Sequence, residues 1–270
     1  MDVVTIHRGH SVCLPSVLRQ IQRNGDTAHL LGNSHSQSIC PGLVVYHPIS
    51  SFWSGAAAFA PTYEHHGAND YDYELFCLQR WLVLREFAAK TGIKRFLHID
   101  SDVMLYANMG RENERFSSFA FTLSKGHCGH CSFMSSDAIM ALAETIIRLF
   151  RDKGEEWKWM MAQNVGPLSD MTLLEYFRLK GGMSCGETTT VADGTTFDHN
   201  IQIPQQTMSS YLEKYAGFIL PEWEMNGDTK RIIWQGGKPY GRLLGTMVRF
   251  LGIHFSGAAK HLAAANEEPR

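Results

Sequence analysis

The chain has 270 residues, 44% hydrophobic and 19% charged, enough for one large or two small domains with a sizeable core; a disordered or coiled-coil protein is excluded. Its 25 Lys and Arg against 27 Asp and Glu leave a formal net charge of -2, so no global field draws it to nucleic acid, and an anionic ligand must be held by local groups. No apolar run reaches the ~18 residues of a membrane-spanning helix, Met1-Asp2-Val3-Val4 is not a signal-peptide start, and six cysteines are too sparse for a disulfide scaffold, so a cytoplasmic protein with reduced thiols is expected.

Val3-Val4-Thr5-Ile6-His7 is a β-rich opening run. Leu14, Val17, Leu18 and Ile21 then share one face of a helix over residues 16–24, which stops at Asn24-Gly25. Residues 28–32 and 43–46 read as strands around a polar loop that holds His35 and Cys40, giving a β-α-β-β opening. Residues 69–90 form the clearest helix, with Leu75, Phe76, Leu78, Leu82, Val83 and Phe87 on a broad apolar face and Gly92 at its end. A strand over 93–99 follows. Such alternation implies an α/β fold with a mostly parallel sheet flanked by helices. Further on, a strand near 118–123 and helices over 136–151 and 169–179 are predicted. Residues 183–256, rich in Gly, Thr and Asn, suit antiparallel hairpins, among them 195–203 and 230–234, and residues 262–270 are expected to form a loose polar tail. There is no repeat and no linker, so a single domain is expected over 1–261.

The strongest chemical signal is Arg95-Phe96-Leu97-His98-Ile99-Asp100-Ser101-Asp102, a buried-type strand running straight into two carboxylates. Ligands of α/β sheets collect at the carboxyl ends of strands. In extended backbone residues i and i+2 point the same way, so Asp100 and Asp102 can share one cation while Ser101 faces elsewhere. Oxygen ligands favour a hard ion such as Mg²⁺ or Mn²⁺. The bland alternative is a solvated Asp-Ser-Asp turn capping a strand.

Two enzyme classes use such a pair. In haloacid-dehalogenase-type phosphatases the first carboxylate is the nucleophile and the second the general acid, which would make Asp100 the nucleophile of a Mg²⁺-dependent phosphatase. That family places the pair on its first strand, with a Lys and a second acidic pair downstream; here the pair follows a long α/β stretch and no such acidic cluster comes later.

The other class is carried by a second segment, Gly252-Ile253-His254-Phe255-Ser256-Gly257-Ala258-Ala259-Lys260. It resembles the His-x-x-Gly-x-x-Lys signature of the glycogenin-like, family 8 glycosyltransferases of GT-A fold, and the order of elements resembles theirs as well. The family's Pro-Trp after the Lys is replaced by His261-Leu262. The resemblance implies a GT-A, Rossmann-like sheet with a smaller antiparallel acceptor-side region. Residues 1–105 would be the nucleotide-binding half, and 106–261 the acceptor side with the metal-binding C-terminal segment. It implies an Mn²⁺ or Mg²⁺ site at Asp100, Asp102 and His254, diphosphate contacts from Lys260 and the close backbone approach of Gly257, and a leaning towards retention of anomeric configuration. Ile6 and His7 would lie where the family binds uracil and ribose, with Asn33 a further nucleoside candidate.

The segment from Glu74 to Arg85 is similar to the family's helix before Asp-x-Asp, where a basic residue approaches the donor, and Arg80 is the candidate. Asp170, behind the Ser169 cap, matches an Asp at the family's acceptor and sugar site and would orient sugar hydroxyls or act as base. The implied substrates are a UDP-sugar donor and a glycan, lipid-linked or small-molecule acceptor, without nucleic acid. No transmembrane anchor is expected, and peripheral membrane contact is left open. A non-enzymatic nucleotide-binding or scaffolding protein on the same fold is the remaining alternative.

Three further signals are set aside. Cys128-Gly129-His130-Cys131 spells a disulfide-isomerase motif but lacks the Trp before it and a thioredoxin-type β-α-β start. His127, Cys128, His130 and Cys131 are too closely packed in sequence to close one zinc tetrahedron. Glu64-His65-His66 lacks helical ligand spacing and reads as a polar loop.

Overall fold

A computed structural model describes residues 1–38, 42, 44–163, 168–202 and 223–267; Cys40, Leu43 and Ile203, and with them parts of the predicted loop and strands, lie outside the described residues. The chain runs β1 (Asp2–His7), α1 (Leu14–Arg23), β2 (Thr27–Gly32), α2 (Ser34–Ser38), β3 (Val45–Pro48), α3 (Ser54–Phe59), α4 (Tyr71–Thr91), β4 (Arg95–Ile99), β5 (Val103–Leu105), α5 (Met109–Phe116), β6 (Phe121–Leu123) and β7 (Cys131–Ser135). It continues through α6 (Ser136–Asp152), α7 (Glu155–Gln163), α8 (Asp170–Lys180), β8 (Cys185–Glu187), β9 (Thr195–Phe197), β10 (Met225–Asn226), β11 (Thr229–Lys230), β12 (Ile233–Gln235), β13 (Lys238–Leu243) and β14 (Thr246–His254).

The central sheet has the order β3-β2-β1-β4-β7-β6-β8. It is parallel through β3, β2, β1 and β4 and again between β6 and β8, with β7 antiparallel to both of its neighbours. Strand alternation splits the core in two. On β1 and β4, Val4 and Phe96 face the cluster built by α4, α6 and α8, with Trp81, Leu82, Phe87, Ile139 and Phe177; Val3, Leu97 and Ile99 face the cluster that holds Leu14, Leu18, Phe250 and Ile253. Both faces of the parallel strands are therefore covered, as their near-continuous apolar sequence demands.

A second sheet, β12-β13-β14-β5, carries β9 alongside β14. β14 lies antiparallel to β5, with Gly252 opposite Leu105, Ile253 opposite Met104 and His254 opposite Val103. This pairing fixes the site, because it draws the end of β14 to the turn that follows β4.

Several elements depart from the sequence reading. The predicted 195–203 hairpin strand is β9, which runs parallel to β14, and 230–234 divides between β11 and β12. The polar loop after β2 contains the short α2, whose entry is set by Asn33: its Oδ1 accepts from the Ser36 backbone N–H and hydroxyl. The C-terminal segment is not a loose tail over 262–267. Ala263 is fully buried, Tyr106 donates its hydroxyl to the Asn266 carbonyl, and Glu267 is paired with Arg19 and Arg23.

Candidate active site

Asp100 ends the β4 extension and Asp102 precedes β5, so the turn between the two sheets holds both carboxylates. Two backbone bonds close this turn: Val103 N–H donates to the Asp100 carbonyl (3.1 Å), and Asp100 N–H donates to the His130 carbonyl (2.9 Å). Ser101 points away, as alternation predicts, and its Oγ meets Nδ1 of His7 at 3.1 Å. The Phe255 N–H donates to the Asp102 carbonyl (2.9 Å) and ties the end of β14 to the same turn.

Asp100, Asp102 and His254 each offer one ligand atom, all within 4.8 Å of one another. His254 Nε2 lies 3.4 Å from Asp102 Oδ1, and its Nδ1 is 2.8 Å from the His199 carbonyl. A carbonyl only accepts, so Nδ1 carries the hydrogen and Nε2 faces the carboxylates, the orientation a metal-bound imidazole needs. Burial pulls His254 down, but its bond to Asp102 and the nearby carboxylates outweigh this and hold its pKa above the ordinary value. Asp102 is the mirror case: burial raises it, and the bond to His254 and that ring's charge lower it further than burial lifts it. The carboxylates thus favour positive charge at Nε2, whether a proton or a cation brings it. Two carboxylates and one imidazole form a donor set suited to Mn²⁺ or Mg²⁺.

Positive groups surround the pair. Lys260 Nζ is 3.2 Å from Asp102 Oδ2, with about half of its side chain exposed to solvent (51%). Arg80, from α4, donates through Nη1 to Asp100 Oδ1 (2.7 Å) and through Nη2 to Asp170 Oδ2 (2.5 Å). Burial works against the Asp100 charge, yet Arg80 and His98 hold its pKa well below the usual carboxylate range. His98 Nε2 sits 3.5 Å from Asp100 Oδ1, its Nδ1 facing the Val4 carbonyl. Asp170 opens α8 behind Ser169, whose backbone N–H donates to Thr172 Oγ1 (3.4 Å).

Asp100, Asp102, His254, Lys260, Arg80 and Asp170 therefore form one connected group. His7 joins it through Ser101, and burial lowers the His7 pKa. Gly257 stands at φ +58°, a backbone conformation that L side chains rarely adopt, so the conformation calls for glycine. The Ile6 side chain packs in the core, which leaves only its backbone for a ligand. Glu64, His65 and His66 lie away from this group: Glu64 pairs with Lys153 and His66 packs on Trp157.

Sequence reasoning missed His98, Ser101 and His199. His199 lies just after β9, and its contribution is a backbone carbonyl that any residue type could supply; no sequence signal marks it. His98 is visible only as a polar residue among Phe96, Leu97 and Ile99 in the buried part of β4.

No family model and no curated protein matches the sequence. Among solved structures the chain is similar to mouse xyloside xylosyltransferase 1 in its apo form, with TM-score 0.53 and 10% identity over 85% of this chain and 96% of that one. It is also similar to the galactosyltransferase LgtC in complex with donor and acceptor sugar analogues, with TM-score 0.52 and 11% identity over 100% of this chain and 97% of that one. A third likeness, to the bifunctional glycosyltransferase WbbM, has TM-score 0.50 and 10% identity and spans 98% of this chain and half of that one. At such identities the likeness is one of fold, and the fold of this chain is the GT-A fold of glycosyltransferases.

Proposed function

We propose that the protein is a metal-dependent glycosyltransferase that moves a sugar from a nucleoside diphosphate donor, a UDP-sugar, to a hydroxyl acceptor with retention of anomeric configuration. The observation that carries this reading is the convergence of Asp100, Asp102 and His254, from the ends of β4 and β14, beside Lys260. Asp100, Asp102 and Nε2 of His254 would hold Mn²⁺ or Mg²⁺, which when bound supplies Lewis-acid stabilisation to a diphosphate leaving group. Lys260, half exposed and reaching the same carboxylate, swings to the diphosphate oxygens as charge develops on them. The backbone at Gly257 approaches the phosphates, while Ile6 and His7 at the end of β1 border the nucleoside. Arg80 neutralises Asp100 and orients Asp170, whose carboxylate is placed to bind sugar hydroxyls.

In this reading residues 1–105 are the nucleotide-binding half, and 106–261 form the acceptor side with the metal-binding C-terminal segment; the acceptor is a glycan, a lipid-linked molecule or a small molecule. Among the described residues no helix is long and apolar enough to cross a membrane. A cytoplasmic setting belongs to the same reading, in keeping with the free thiols of Cys13, Cys77, Cys128, Cys131 and Cys185.

The phosphatase alternative has less support. Asp102 is tied to His254 and Lys260, not free to serve as the general acid, and Asp100 is clamped by Arg80.

Calorimetric titration with UDP, in Mn²⁺ and then in a chelator, tests the proposal on the wild type, Asp102→Ala and His254→Ala. Metal-dependent UDP binding lost in both variants is the expected result, followed by a screen of UDP-sugars for hydrolysis or transfer. Absence of UDP binding with any metal overturns the UDP donor.

A further inference from the structure

A second group of ligating side chains lies next to the first and takes no part in it. Cys128, His130 and His199 each offer one atom, again all within 4.8 Å of one another. Cys128 and His130 sit on the turn between β6 and β7, and His199 comes from the segment after β9, so two distant stretches of chain meet here. Cys128 Sγ lies 3.0 Å from His130 Nδ1, and His199 Nδ1 is fixed by Ser124 Oγ at 2.8 Å. Buried Nε2 of His130 has no hydrogen-bond partner. The quartet weighed from the sequence does not form, because Cys131 turns into the core with Leu97, Ile99 and Phe133. His199, far away in sequence, supplies what that quartet lacked.

We infer that Cys128, His130 and His199 form a separate binding site for a borderline-soft divalent ion, Zn²⁺. One thiolate and two imidazoles are a donor set for zinc and a poor one for Mg²⁺ or Mn²⁺, whereas the two carboxylates of the neighbouring Asp100, Asp102 and His254 set suit those harder ions too. Tetrahedral zinc places sulfur and nitrogen ligands about 3.6 Å apart and two nitrogens about 3.3 Å apart. The Cys128 and His130 atoms, 3.0 Å apart, need open only slightly to admit the ion. Metal binding would displace the proton of the Cys128 thiol.

The site has a structural consequence for the first. His130 stacks on His254 with centroids 4.1 Å apart, and the His199 carbonyl holds His254 Nδ1. Zinc joining the β6–β7 turn to the His199 segment would brace both contacts behind the His254 ring. This inference does not depend on the glycosyltransferase reading.

Cobalt(II) is the probe, since a Co²⁺–thiolate bond has a near-ultraviolet charge-transfer absorption that carboxylate and imidazole ligands do not give. Chelator-treated protein is titrated with Co²⁺ as wild type, Asp102→Asn, Cys128→Ser and His199→Ala, with circular dichroism confirming the fold of each. The expected result is a thiolate band that saturates at a single equivalent and is displaced by Zn²⁺, is kept in Asp102→Asn, and is lost in Cys128→Ser and His199→Ala. A folded wild type without the band overturns the site, whatever the variants do. So does a band that survives Cys128→Ser, which would belong to another cysteine, or one that disappears in folded Asp102→Asn, which would mean a single mixed centre.

Discussion

Asp102 Oδ1 and His254 Nε2 stand 3.4 Å apart across the antiparallel contact of β5 and β14. Their pKa values are displaced in opposite directions: each favours the charged form of the other against the cost of burial. A raised histidine contributes stability that is complete below its unfolded value of about 6.5 and is lost as pH rises through its folded value. A lowered carboxylate contributes stability that is complete above about 3.9 and is lost as pH falls through its depressed value. In chelator, the difference in thermal stability between wild type and His254→Asn is therefore expected to shrink as pH rises above about 6.5. A constant difference over that range would show that the ring is uncharged in the metal-free protein. For the same reason Mn²⁺ affinity should rise about tenfold per pH unit while His254 still carries its proton, because binding releases that proton.

Arg80 is the next test of the site's construction. Its guanidinium joins Asp100 to Asp170, and both carboxylates are largely withdrawn from water. Arg80→Met leaves two acidic groups without their cation, and urea unfolding should show a loss of about 3–5 kcal/mol. Adding Asp170→Asn to Arg80→Met should restore part of this, a coupling of about 1–3 kcal/mol. Strictly additive losses would mean that Arg80 and Asp170 do not act as a pair. Arg80→Lys keeps the charge but not the planar fork, so it should hold one carboxylate and lose the other.

Gly129 lies between Cys128 and His130, and its constraint is steric. A Cβ there would stand 2.6 Å from Cη2 and 2.8 Å from Cζ2 of Trp81, and 3.0 Å from Leu174 Cδ1. Trp81 is fully buried and cannot yield cheaply. Gly129→Ala is expected to cost about 1–3 kcal/mol in chemical denaturation. Trp81→Phe in the same chain should recover part of the loss by removing the opposing ring edge. No recovery would place the cost elsewhere.

Much of the frame was legible in the sequence, for physical reasons that differ along the chain. The apolar period of α1 and α4 and the buried-type β4 running into Asp100 each carry their own signal, and the grouping of Asp100, Asp102 and His254 was expected from Asp-x-Asp and from the family resemblance of the segment from His254 to Lys260. β14 was hidden. Phe250-Leu251-Gly252-Ile253 is a continuous buried run without alternation, set among turn-forming residues, and so did not stand out as a strand. The contact of Arg80 with Asp170 depends on how α4 and α8 approach one another, which no local pattern specifies. The Cys128, His130 and His199 group was half visible, as a motif set aside because its own residues lie too close in sequence, while His199, just after β9, carries no local signal. Asn33 shows the reverse: a polar residue in a promising place whose oxygen is spent on capping α2.

Lys260 separates a ligand contact from a structural one. Its ammonium lies 3.2 Å from Asp102 Oδ2, about half of its side chain is in solvent, and its backbone carbonyl accepts from the Cys13 thiol. That carbonyl contact survives a side-chain change, so Lys260→Ala should leave the fold intact. A charge-assisted bond to phosphate is worth roughly 1.5–3 kcal/mol, so UDP affinity in Mn²⁺ should fall about 10- to 100-fold. Uridine, which has no phosphate, should bind wild type and variant alike. Mn²⁺ alone should bind the variant no less tightly, since Asp102 is released from a competing cation. Equal losses for uridine and UDP would instead make Lys260 a residue that shapes the pocket, and a loss of Mn²⁺ binding without nucleotide would make it a support for Asp102.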